Sequence, residues 1–239
     1  GTPSFERITA LLFDFDGTLV EPSIDFGEMK RAVLAVVRAF GQEPPDGESM
    51  PALEIIARAR AQLAAQDAAL GEQFEAAAQR AIMGIELAAA ARVQAYQGVA
   101  EMLMEIERLG LRVGIVTRNC REAVRSILAR VPLRHHALLT RDDVPCVKPD
   151  PRHLLVALVA LDADAEHAAM CGDHVMDIQA GRAIGALTVG VLRPGEGPEV
   201  FAACPPDLIL PHITDLLAHL QPIKDDLLLE RPRPQGGAI

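Results

Sequence analysis

Apolar runs of strand length alternate along the chain with stretches whose apolar residues recur at helical spacing. Ile8-Thr9-Ala10-Leu11-Leu12-Phe13, Leu111–Val116, Ala168–Gly172, Ala186–Leu192 and Leu208–Leu210 read as strands. Val99, Leu103, Ile106 and Leu109 mark a helix, and further helices are expected over Cys120–Arg130, Arg152–Leu161, Asp177–Ile184 and Ile213–Leu220. Strand and helix in regular alternation predict an α/β core, Rossmann-like, on a parallel sheet.

From Glu21 to Tyr96 the alternation stops and helical spacing takes over. Asp25 and Glu28 form a capping-box-like start, followed by Phe26, Met29, Val33, Val36, Val37 and Phe40 at helical spacing. The segment Gly41–Gly47, rich in proline and acid, breaks that helix; Pro51 opens a second, and Gly71 is expected to separate it from a third running toward Val93. Residues 21–96 therefore read as an inserted α-helical cap, with 1–20 and 97–239 as the core and hinges near Val20 and Gln97. The last segment, Gln221–Ile239, reads as a peripheral tail whose Leu227-Leu228-Leu229 has the character of a docking element.

Chemistry concentrates where the strands end. Asp14-Phe15-Asp16-Gly17-Thr18 follows the first strand, and residues two apart on extended chain share a side, so Asp14 and Asp16 face one cleft. Gly17 permits a sharp turn that the Thr18 hydroxyl can hold. Thr117 ends a second strand, Lys148-Pro149-Asp150-Pro151 opens a helix with Asp150 in capping position, and Gly172-Asp173-His174-Val175-Met176-Asp177 follows a third. Parallel strands would carry Asp14, Thr117 and Asp173 to the carboxyl edge of the sheet, where open α/β sheets bind ligands. Four acids, Asp14, Asp16, Asp173 and Asp177, bring a charge of −4 to which Lys148 returns +1. A divalent cation is needed to offset that charge, and hard oxygen donors with no His or Cys cluster favour Mg2+ over zinc.

These segments, in this order, resemble the four motifs of the haloacid dehalogenase superfamily, and the helical insert behind the first resembles the phosphoglycolate phosphatase-like branch. The resemblance covers the core and is weakest in the insert. It implies that Asp14 is the nucleophile that becomes phosphorylated and Asp16 the general acid and base. Thr117 would hold the phosphoryl oxygens and Lys148 neutralise phosphate and nucleophile. Asp14 and Asp173 would bind Mg2+ by side chain and Asp16 by its carbonyl, with Asp177 acting through water or by steering Lys148. Gly17, Arg118 and Asn119 are candidates for phosphate or substrate contact; a solvated arginine competes for Arg118, and a helix cap is favoured for Asn119. His174 stands where relatives often carry Ser and is expected to be a loop histidine. His135-His136 and the arginines Arg31, Arg38, Arg58 and Arg60 are expected at the surface. The implied function is Mg2+-dependent hydrolysis of small phosphate monoesters, phosphoglycolate among them, through an aspartyl phosphate, with the insert as a lid. A phosphomutase or phosphotransferase of the same fold, or a silent binding domain, are the alternatives. Dehalogenation is disfavoured because Asp16 provides the acid and base that phosphoryl chemistry requires.

Composition narrows the partners. The 239 residues are 50% hydrophobic, enough for a full core, and the formal charge is −10 with one Tyr and no Trp. That composition argues against a nucleic-acid surface, and no stretch has the length of a membrane span. The expected partner is a small phosphorylated metabolite; oligomeric state is left open. Cys120, Cys146, Cys171 and Cys204 lack C-x-x-C pairing and no signal-peptide pattern is present, so a reducing cytoplasm is expected.

Overall fold

The computed structural model describes residues 4–44 and 50–220. The chain divides into two compact units, one from the chain up to Pro22 together with the chain from Val93 onward, the other from Ser23–Arg92.

The first unit is built on a six-stranded, wholly parallel sheet in the order β3-β2-β1-β4-β5-β6. The strands are β1 (Ala10–Phe13), β2 (Arg112–Val116), β3 (Ala137–Leu139), β4 (Ala168–Gly172), β5 (Leu187–Val191) and β6 (Leu208–Leu210). Helices α4 (Val99–Arg108), α5 (Arg121–Arg130), α6 (Arg152–Leu161) and α7 (Val175–Ala183) belong to the same unit. Leu154, Ala157, Leu158 and Leu161 of α6 share a buried cluster with Leu12, Val116, Met170 and Ala180, so α6 and α7 seal one face of the sheet.

Register places the chemistry. Phe13 lies level with Ile115 on β2 and Cys171 on β4, so the chain leaves three adjacent strands at Asp14, Thr117 and Asp173 within a residue or two of the same height. The expected strands are all present. The short edge strand β3 is an addition: Ala137-Leu138-Leu139 has no periodicity to announce it, and it is held by main-chain bonds from His136 N to Val113 O (2.7 Å) and from Thr117 N to Leu139 O (2.9 Å). The closing helix is a 3-10 segment, Ile213–His219. The expectation for 221–239 lies outside the described residues.

The second unit consists of α1 (Phe26–Ala39), α2 (Ala52–Ala64) and α3 (Ala68–Ala90). Asp25 caps α1 by accepting from Glu28 N at 2.8 Å, and Asp67 caps α3 by accepting from Ala69 N at 2.9 Å. Gly71 does not separate two helices; the break falls at Ala65–Asp67, and Gly71 is buried inside α3. A Cβ there would lie 2.7 Å from the Ala64 Cβ, so the glycine lets α2 and α3 approach rather than ending either. Arg60 pairs with Glu75 at 2.5 Å on the exposed side. Among the described residues no helix is long and apolar enough to cross a membrane.

Phe74 is fully buried in the helical core and meets Phe40 edge to face, with centroids 5.5 Å apart. Phe74→Ala is expected to destabilise this unit by about 3–5 kcal/mol, measured by urea denaturation. A loss below about 1 kcal/mol would contradict the packing described.

Candidate active site

The site forms where β1, β2 and β4 end. Asp14 leaves β1 with its amide donating to Cys171 O at 2.9 Å, and the chain then turns through Gly17 at φ 87°. Only a glycine suits this position, because φ is left-handed and a Cβ would come 2.5 Å from Asp173 Oδ2. Gly17 thus makes room for Asp173. Thr18, expected to hold its own turn, instead donates to Asp173 Oδ1 at 2.9 Å and ties the two loops together.

Lys148 is the centre of the charge arrangement. Its side chain is 1% exposed, and Nζ lies 2.7 Å from Asp14 Oδ1 and 2.7 Å from Asp177 Oδ1. Burial alone would favour the neutral amine, but Asp14 and Asp177 outweigh it and hold the ammonium above its ordinary range. Asp177 is also part of a capping box: its Oδ2 accepts from His174 N at 3.1 Å, while His174 Nδ1 accepts from Met176 N at 3.1 Å. His174 is therefore the N-cap of α7, and the helix starts before Asp177. Burial lowers the His174 pKa, with Arg118 acting in the same direction.

Asp14, Asp173 and Asp177 place carboxylate oxygens within 4.8 Å of one another. Burial pushes Asp173 well above the usual carboxylate range, and Asp14 and Asp177 push it further. Burial likewise raises Asp177, to about 6, against the opposing pull of Lys148. Crowded, desolvated carboxylates with more negative than positive charge fit a hard divalent cation. Arg193 Nε supplies partial compensation 3.5 Å from Asp173 Oδ2 and is itself gripped by Glu196. Nothing in the local pattern of Arg193 marked it, since it follows β5 at a distance in sequence from every motif.

The Asp16 carboxylate is met from the chain that follows β2. It accepts from Asn119 Nδ2 at 3.2 and 3.4 Å and from Thr117 Oγ1 at 3.5 Å. Asn119 is consequently not the cap of α5, a position held by Cys120; its Oδ1 accepts from Cys120 N at 2.8 Å and its amide faces Asp16. Arg118 is half-buried and donates to Lys148 O at 2.8 Å. Asp150 sits one residue before the capping position of α6 and accepts from Arg152 N at 2.9 Å. Asp14, Asp16, Thr117, Lys148, Asp173 and Asp177 are thus brought together, with Asn119 and Arg118 beside them.

A wholly parallel, Rossmann-like sheet with paired acids at the end of its central strand, a buried lysine and a carboxylate cluster is an arrangement suited to phosphoryl chemistry. Residues 8–185 match the haloacid dehalogenase-like hydrolase family, and the chain belongs to that family. It is 31% identical over 222 residues to N-acetylmuramic acid 6-phosphate phosphatase of Pseudomonas aeruginosa, covering 88% of this chain and 94% of that one. It is also 35% identical over 134 residues to pyrophosphatase PpaX of Bacillus velezensis, covering 55% of this chain and 62% of that protein. The crystal structure of a hydrolase from Pseudomonas syringae shares the fold, with a TM-score of 0.61 at 22% identity over 88% of this chain and 97% of its own. The chain is an enzyme, and the named relatives are phosphatases.

A carboxyl whose native pKa exceeds its unfolded value of about 4 binds a proton in the native state that the unfolded chain has released. Its stabilising share is complete in acid and is lost as pH rises through the native value. Asp173→Asn removes that loss. In EDTA the variant is expected to melt above wild type at pH 7, the difference shrinking toward pH 4, as followed by calorimetry. A variant melting below wild type at pH 7 would contradict the assigned direction.

Proposed function

We propose that the chain is a Mg2+-dependent phosphatase that hydrolyses small phosphate monoesters through an aspartyl phosphate on Asp14. The observation that carries this reading is the buried Lys148 ammonium, 2.7 Å from both Asp14 and Asp177, with Asp173 in the same carboxylate cluster. Asp14 and Asp173, with the Asp16 carbonyl, would hold Mg2+, with Asp177 acting through water or by steering Lys148, and the ion would supply charge neutralisation for the incoming phosphoryl group.

Asp14 attacks phosphorus while Lys148 holds its Oδ1 and orients the carboxylate. Asp16 protonates the leaving alcohol oxygen and then takes a proton from the water that attacks the phosphorylated Asp14. Thr117 and Asn119 hold the Asp16 carboxylate, and they donate to its charged form when it acts as base. Splitting the displacement into two steps lets one carboxyl serve as acid and then as base.

The relative spanning most of the chain acts on a sugar phosphate, so N-acetylmuramic acid 6-phosphate and phosphoglycolate head the substrate panel. The helical unit carries none of the motif residues and is free to set selectivity among them. All four cysteines are free, which suits a reducing compartment such as the cytoplasm.

Asp14→Asn preserves side-chain volume and removes the nucleophile. It is expected to lower kcat at least about a thousandfold with an unchanged circular dichroism spectrum. EDTA should abolish phosphate release, Mg2+ restore it, and Ca2+, with its looser shell, restore little. Near-wild-type turnover by Asp14→Asn, or full activity in EDTA, would overturn the proposal.

A further inference from the structure

Lys148 reaches its two carboxylates at the end of a flexible four-carbon stem, so where the ammonium sits depends on where the backbone of Lys148 sits. That backbone lies in the loop before α6, where no strand or helix ladder fixes it. Two side chains do so instead. The Lys148 amide donates to His153 Nδ1 at 3.3 Å, and the Lys148 carbonyl accepts from Arg118 Nη1 at 2.8 Å. Arg118 is itself tied down, its own carbonyl accepting from the buried Arg141 at 3.2 Å.

His153 is an unusual occupant of its position. It is the second residue of α6, is fully buried, and is followed on the same buried side by Leu154, Ala157, Leu158 and Leu161. Its Nε2 has no hydrogen-bond partner among the described residues. A buried polar atom left short of a partner costs stability, and an apolar side chain would serve this part of the core without that cost. What an apolar side chain cannot supply is an acceptor for the Lys148 amide.

We propose that His153 is a positioning residue for phosphoryl transfer: a neutral imidazole whose Nδ1 anchors the Lys148 amide and so aims Nζ between Asp14 and Asp177. The role requires the tautomer with the proton on Nε2, since Nδ1 must accept. Burial and then the nearby Lys148 charge push the imidazole pKa down to about 4, against weaker opposition from the Leu139 carbonyl, Asp14 and Asp143, which keeps the ring neutral at working pH. Displacing a catalytic group by about an ångström costs up to about a hundredfold in rate without loss of substrate binding. His153 touches neither substrate nor reacting atoms and acts through Lys148.

The inference rests on the phosphatase reading, and the test separates the two. His153→Leu removes the acceptor at similar bulk; His153→Asn keeps an acceptor oxygen near the place of Nδ1. At a temperature where calorimetry shows both variants folded, His153→Leu is expected to lower kcat about 10- to 100-fold with KM within about threefold. His153→Asn should recover most of that loss. A His153→Leu enzyme with wild-type kcat, or an Asn variant as slow as Leu, would overturn the inference. Nitrogen-15 NMR of the wild-type histidine provides a reading independent of turnover: Nδ1 should be bare and Nε2 protonated, and the Lys148 amide should exchange with solvent faster in the Leu variant than in the Asn variant. A proton on Nδ1, or equal exchange in the two variants, would refute the anchor even if no phosphate ester proved to be a substrate. A wild-type enzyme without phosphatase activity but with the expected NMR pattern would instead overturn the proposed function alone and support the anchor.

Discussion

Lys148 buried between Asp14 and Asp177 is the interaction on which the rest of the site depends. Three segments far apart in sequence meet there: the end of β1, the loop before α6 and the first turn of α7. A buried ion pair is weak evidence for stability, because desolvation offsets most of the attraction. Removing one partner is different, for it strands a charge in a place water cannot reach. The triad is therefore costly to break singly, and it ties three loops to one another. Asp177 makes this coupling explicit, since one oxygen holds Lys148 and the other closes the capping box of α7.

The triad leaves the site over-supplied with negative charge. Asp173 is the residue that bears the consequence: it is 8% exposed, crowded by Asp14 and Asp177, and only partly relieved by Thr18 and Arg193. Such a site is stable when a proton or a cation occupies it and uncomfortable otherwise. Under the proposed function, that tension is the physical reason that the same carboxylates would suit Mg2+ and a phosphoryl group together. The carboxylate of the second acid, Asp16, is met by Thr117 and Asn119, which under the proposed function would hold it for proton transfer.

The strand-end placement of Asp14, Thr117 and Asp173 was legible because apolar runs of strand length precede each of them, and the parallel register follows from the alternation of elements. Lys148 and Asp177 were legible only through the order of motifs. What could not be read depended on long-range contact. Asn119 looked like a cap from its neighbours, yet its partner is 103 positions away. Gly71 looked like a break because a glycine in a helix is unfavourable, and only the contact with Ala64 shows why α3 tolerates it. β3 is too short for a period, and its strand identity comes from the main chain of β2. His153 and Arg193 carry no local signal at all; their significance lies in what they face.

The central claim is that Asp14 is the atom donor to phosphorus inside a site closed by Lys148. Crystals grown with Mg2+ and beryllofluoride, which mimics a phosphoryl group on a carboxylate, test it most directly. The account requires a tetrahedral adduct on the Asp14 carboxylate, with Lys148 Nζ beside it and a cation among Asp14, Asp16 and Asp173. An adduct on another residue, or an unmodified Asp14 in crystals saturated with both ions, would contradict it.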